Sequence, residues 1–109
     1  MNYRKYYREK LEVNLDSSFV VHHIDGNRQN NDILNLVALP KRLHLKYHNQ
    51  KAKYDFVVNS INEWNYFFKC EYKKYFSAIE LFMDVKNEVA EYISIRDNIL
   101  HNKYGNRLD

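Results

Sequence analysis

The chain has 109 residues, 45% of them hydrophobic and 16% aromatic, a composition that excludes a disordered chain and suits one domain, residues 1–109, with a core that needs no disulfide. The net charge of +3 is unevenly placed: residues 1–48 carry eight Lys/Arg against five Asp/Glu and residues 49–109 carry nine of each, so the whole excess, 8 − 5 = +3, lies in the first segment. A basic segment beside a neutral one suits a polyanionic partner, although +3 taken alone is ordinary surface charge.

In chain order, residues 3–12 are charged and Tyr-rich and read as a short helix. The opening, MNYRKYYREKLEV, has no continuous apolar stretch and does not read as a secretory signal, so a cytoplasmic setting is expected. Asp16-Ser17-Ser18 reads as a turn. Phe19-Val20-Val21 follows as a β-branched strand that delivers His22 and His23 at its end. Residues 25–32, DGNRQNND, are turn-formers throughout: Gly26 can supply a positive φ and Asp25 can bond the loop backbone. Leu36-Val37-Ala38-Leu39 reads as a second strand. Pro40 sits where a helix begins, because its missing N–H costs nothing at the first helical position, and the helix is expected over residues 40–52.

Neither Gly nor Pro occurs between Lys41 and Tyr104, which predicts long helices. Val57, Ile61, Trp64, Phe68, Tyr72, Tyr75, Ile79 and Phe82 are spaced 4, 3, 4, 4, 3, 4 and 3, a helical stripe that reads as core or as a dimer interface before a base-stacking platform. Val85, Val89, Tyr92, Ile93 and Ile99 predict a further helix, separated from the previous one near Asp84. No apolar run approaches the ~18 residues that span a bilayer, so no membrane partner is expected. The lone Cys70 excludes an internal disulfide and a cysteine zinc ribbon, and reads as a small buried hydrophobe.

Four of the five histidines fall within residues 20–48. His44 and His48 are four apart on the predicted helix and share one face, roughly 6 Å apart along its axis. His22 and His23 are adjacent on a strand and point to opposite faces, so they do not easily bind one metal. A division of labour is expected, in which one ligates an ion and the other faces the attacking water as base. Spacing does not say which. The blander alternatives are a structural zinc site or exposed imidazoles.

The run VVHHIDGNRQNNDILNLVALPKRLHLKYH resembles the signature of HNH endonucleases in its His pair, its DGN turn, the Asn-Leu entering strand two and its helical histidines. The nuclease domains of DNase colicins are similar in the double-His start and in the nine-residue interval seen here from Asn35 to His44. The resemblance implies an α+β fold, with a ββα-metal finger over residues 19–50 (two short antiparallel strands plus one helix) and a small all-helical part over 53–104. It implies one divalent cation beside a scissile phosphate, with His22 and His44 as ligands and His48 as a third ligand or phosphate contact. His23 would be the general base, its other ring nitrogen held by a backbone carbonyl, and Asn35 would brace the loop that orients it. The expected reaction is hydrolysis of DNA to a 5′-phosphate and a 3′-hydroxyl, with RNA as an alternative polymer.

Many relatives carry Asp at the position of His22 and Asn at that of His44. The all-imidazole set here shifts preference toward Zn²⁺, Ni²⁺, Co²⁺ or Mn²⁺ and away from Mg²⁺. Arg28, Lys41, Arg42 and Lys46 are candidate phosphate contacts. Arg4, Lys5, Arg8 and Lys10, interleaved with tyrosines, read equally as a DNA-gripping arm or as a solvated helix face. The helical remainder is expected to form a homodimer or to dock a partner. The competing reading of the whole chain is a non-catalytic, metal-stabilised nucleic-acid-binding module.

Overall fold

The computed structural model describes the backbone of residues 2–59 and 64–105, and the side chains of those residues outside 64–75. Helix α1 spans Tyr3–Leu11, and Asn2 caps it by accepting the Lys5 N–H at 3.0 Å. Tyr7 and Leu11, one turn apart, form its buried face. Arg4 points toward the following chain, where its guanidinium donates to the carbonyls of Phe19 (2.6 Å), Leu15 (3.0 Å) and Asp16 (2.7 Å). The basic-arm reading therefore fails at Arg4, which lashes the approach to the first strand instead. Lys10 is likewise engaged, 4.6 Å over the Tyr104 ring.

Strand β1, Phe19–His23, pairs antiparallel with β2, Leu36–Pro40, in the register Phe19↔Pro40 to His23↔Leu36. Pro40 closes the strand rather than opening the helix, and helix α2 spans Lys41–Asn59. The extended pairing reaches one residue further because the Lys41 N–H donates to Ser18 O at 2.8 Å, which holds Pro40 in line with β2. Helix α2 also outruns its expected end at residue 52. Helix α3 spans Trp64–Tyr104 without the expected break near Asp84. An exposed Asp in a stretch free of Gly and Pro lowers helix propensity only slightly, which is not enough to interrupt it. Of the predicted apolar stripe, Val57 belongs to α2 while Ile79 and Phe82 belong to α3. Ile61 and the side chains of Trp64, Phe68, Tyr72 and Tyr75 lie outside the described residues, as does that of Cys70.

The architecture is thus a ββα unit followed by a helical part. Both faces of the two-stranded sheet are covered, as the alternation along β2 records. Leu36 joins Tyr7, Leu11, Val21, Ile33 and Leu100 on the α1 side. Its neighbours Val37 and Leu39 join Leu43, Val85 and Val89 on the α2 side. Each fully buried side chain of this kind stabilises the fold by about 1.5–3 kcal/mol. Helix α3 contributes to both clusters and runs antiparallel to α2, with Tyr54 against Phe82 (4.8 Å) and Lys46 against Glu88 (3.3 Å). No helix among the described residues is long and apolar enough to cross a membrane.

Continuity of α3 through Asp84 is open to direct test. Asp84→Pro should cost about 3 kcal/mol or more in urea unfolding, because a proline there removes a helical hydrogen bond and clashes with the preceding turn. A near-neutral result would restore the expected break.

Candidate metal and nuclease centre

The loop from β1 to β2 is held by its own side chains. Asp25 accepts the Asn27 N–H (2.8 Å), Asn27 that of Gln29 (3.0 Å), and Asp32 that of Leu34 (2.9 Å), each bond reaching two residues on. This run of Asx turns needs only the short amide and carboxylate side chains that DGNRQNND supplies. Gly26 has φ +76°, the left-handed turn expected of it, and its N–H donates back to His23 O at 3.0 Å.

Asn35 closes the loop. Its Oδ1 accepts from the Asp25 N–H (3.0 Å), its Nδ2 donates to Asn30 O and to Asp25 Oδ1 (both 2.9 Å), and its backbone O accepts from the Ile24 N–H (2.8 Å). Its side chain thus bonds the backbone of Asp25, two residues after His23, and of Asn30, while its own backbone carbonyl holds Ile24. The Asp25 carboxylate is consumed in the same network. Hydrogen bonds from Asn30, Asn27 and Asn35 hold its pKa below the usual carboxylate value.

The two adjacent histidines part at the end of β1. His22 turns to the α2 side, where its ring meets those of His44 (5.1 Å), Tyr47 (4.7 Å) and His48 (5.5 Å). His44 and His48, one turn apart on α2, bring their Nε2 atoms to 3.0 Å. Each of the three imidazoles offers a nitrogen, and those nitrogens all lie within 4.8 Å of one another. Two nitrogens on one tetrahedral zinc ion stand about 3.4 Å apart, so modest closure of the widest pair would seat one ion. The donor chemistry agrees. Burial, reinforced by His44, His48 and His23, holds the His22 pKa down to about 4, and burial with His48 and Arg28 also lowers that of His44. Both rings therefore present lone pairs at neutral pH. The trio grades from buried His22 through half-buried His44 to exposed His48, so it opens to solvent on the α2 side.

His23 takes the other side, with its ring edge-on to Tyr3 at 4.6 Å. Its Nε2 is 2.9 Å from Asn31 Oδ1, so a side-chain oxygen fills the place expected of a backbone carbonyl. An oxygen acceptor there puts the proton on Nε2 and leaves Nδ1 with the free lone pair. Although they face opposite ways, His22 and His23 both line a cleft of about 90 Å³ with Tyr3, Gly26, Arg28, His44 and His48.

The remaining predicted contacts divide. Arg28 fronts this cleft, and Lys41 and Arg42 are exposed on the first turn of α2. Lys46 faces away and pairs with Glu88 of α3. Asn31, Tyr47 and Lys51 also stand at the centre. Asn31, a loop former by residue type, lies eight residues from His23 and meets its ring across the loop. Tyr47 packs edge-on against His22. Lys51, paired with Asp55 at 2.7 Å, lines a second cleft of about 220 Å³ with His22, His23 and His48. The signal for Lys51 was present, since Lys41, His44, His48 and Lys51 are spaced 3, 4 and 3 along one helix face.

Residues 14–46 match the family model described as HNH endonuclease. This segment is similar to the HNH family. The match takes in His22, His23, Asn35 and His44, covers under a third of the 109 residues, and leaves α1, most of α2 and all of α3 outside it. No curated protein and no solved structure matches the chain. The His22–His44–His48 group is compatible with holding a metal ion.

The buried neutral His22 has a consequence for the metal-free protein. Between about pH 6.5 and 4 the unfolded chain takes a proton on this residue that the folded chain refuses. Stability in EDTA should therefore fall as pH drops through that window and level off below it. Thermal melts at pH 7.5, 5.5 and 4.5 check this, and His22→Asn should flatten the dependence. An equal slope in the variant would assign the effect elsewhere.

Proposed function

We propose that the protein is a metal-dependent HNH endonuclease that hydrolyses phosphodiester bonds of DNA. The observation that carries this is the convergence of His22, His44 and His48 beside a separately held His23, all but His48 inside the segment that matches the family. The three imidazoles would hold one divalent cation. When bound there, such an ion supplies Lewis-acid stabilisation of charge on the phosphate and on the departing oxygen.

His23 does the proton chemistry. Asn31 keeps the proton on Nε2, so Nδ1 takes the proton of a water aligned with the phosphorus. The water oxygen bonds the phosphorus as the P–O3′ bond breaks, leaving a 5′-phosphate, and the departing O3′ takes a proton from solvent water to become a 3′-hydroxyl. Arg28 and Lys51 front the two clefts and are the cations best placed for phosphate oxygens. Lys41 and Arg42 lie next in line along α2. Nitrogen donors favour Zn²⁺, Ni²⁺, Co²⁺ or Mn²⁺ over Mg²⁺.

The test is a divalent-ion series on supercoiled plasmid, with EDTA as control and an RNA substrate assayed in parallel. His23→Ala should lower nicking by roughly 10²–10⁴-fold while metal affinity and folding hold. His44→Ala should lose metal and activity together. Nicking by His23→Ala at the wild-type rate would overturn the base assignment. A wild type inert with Mg²⁺, Mn²⁺, Ni²⁺ and Co²⁺ would instead favour a non-catalytic binding module.

The basic residues should separate in the same assay. Arg28→Ala should weaken DNA binding and flatten its salt dependence by about one phosphate contact, whereas Lys46→Ala should leave both nearly unchanged. Equal effects would mean that Lys46 leaves Glu88 to meet the polymer.

A further inference from the structure

We infer that Arg96 of α3 is a positioning residue for the His23 side of the centre, acting through Asn35. The inference rests on the nuclease reading for its effect on rate, though not for its effect on structure.

Arg96 is a charged side chain with only 4% of its surface exposed, far along the chain from the matched segment. Its Nη1 donates to Leu34 O at 2.8 Å and to Leu36 O at 3.0 Å, the carbonyls on either side of Asn35. The rest of the guanidinium is occupied by Asp97, with Nε at 3.1 Å and Nη2 at 2.7 Å from one carboxylate oxygen. A buried cation so placed fixes the backbone on both flanks of one residue.

That residue carries the loop. The Asn35 carbonyl accepts from Ile24 N–H, and its side-chain oxygen accepts from Asp25 N–H. Ile24 and Asp25 directly follow His23, so the chain of bonds runs from α3 to the backbone next to the base. None of these links passes through His22, His44 or His48. Arg96 therefore should bear on the base and leave the metal group alone. The planar fork also explains the residue type: it reaches both carbonyls while keeping Asp97, and a Lys ammonium has no second arm to do so.

The experiment compares Arg96→Met and Arg96→Lys with Val85→Ala, a cavity in the same helix that serves as the stability-matched control. Arg96→Met should lower kcat by roughly ten- to a hundredfold, the scale expected for a small misplacement of a reacting group. KM and metal affinity should stay within about twofold, and Arg96→Lys should recover part of the rate. Hydrogen exchange should quicken at the Ile24 and Asp25 amides in Arg96→Met and not in Val85→Ala. Exchange at those amides no faster than in the control would overturn the inference, whatever the activity. Failure of the wild type to cut DNA or RNA would count against the nuclease reading, while the exchange comparison still decides the role of Arg96.

Discussion

Everything at this centre depends on the two-residue period of one short strand. Because successive side chains of β1 leave opposite faces of the sheet, His22 enters the pocket made by α2 and His23 enters the space beside α1. One pair of identical residues thereby acquires two environments: three imidazoles gathered at one side, and a single imidazole with a fixed tautomer at the other. A one-residue slip in the pairing of β1 with β2 would exchange the two and bury the wrong ring against α2. The register is secured at both ends, by the Ser18–Lys41 bond beyond Pro40 and by the Ile24–Asn35 bond beyond His23.

Rigidity comes from different sources on the two sides. The three-imidazole group rests on elements with their own packing, since Tyr47 backs His22 and Leu43 anchors the helix that carries His44 and His48. On the His23 side the loop that follows β1 has its backbone held by side-chain amides and carboxylates. Such a network is specific but cooperative, and loss of one member exposes several donors together. This is why the loop needs an anchor outside itself, and Arg96 is placed to be that anchor.

The HNH match ends at residue 46, yet both sides of the centre lean on parts of the chain beyond it. Tyr3 of α1 abuts His23, Arg4 ties the entry to β1, and α3 closes both hydrophobic clusters. A two-stranded sheet by itself is marginally stable in water, and here α1 and α3 add to the core on its two faces. The helical part is then best understood first as the frame of the centre, whatever else it binds.

The local pieces were legible in the sequence because short-range rules decide them. The alternation in FVVHH, the Asx-rich loop, Gly26 and the His44–His48 interval each depend on residues within one turn or one strand. The α+β order and the set of histidines followed from these. What lay beyond local reading was long-range: Asn31 as the partner of His23, Tyr3 and Tyr47 as their aromatic walls, Lys46 turned to Glu88, and Arg96 reaching back to the flanks of Asn35. Periodicity tells which way a side chain leaves its own element. Only the packing of α1, α2 and α3 around the sheet decides what it meets there, because contacts between residues distant in sequence are set by the fit of whole surfaces.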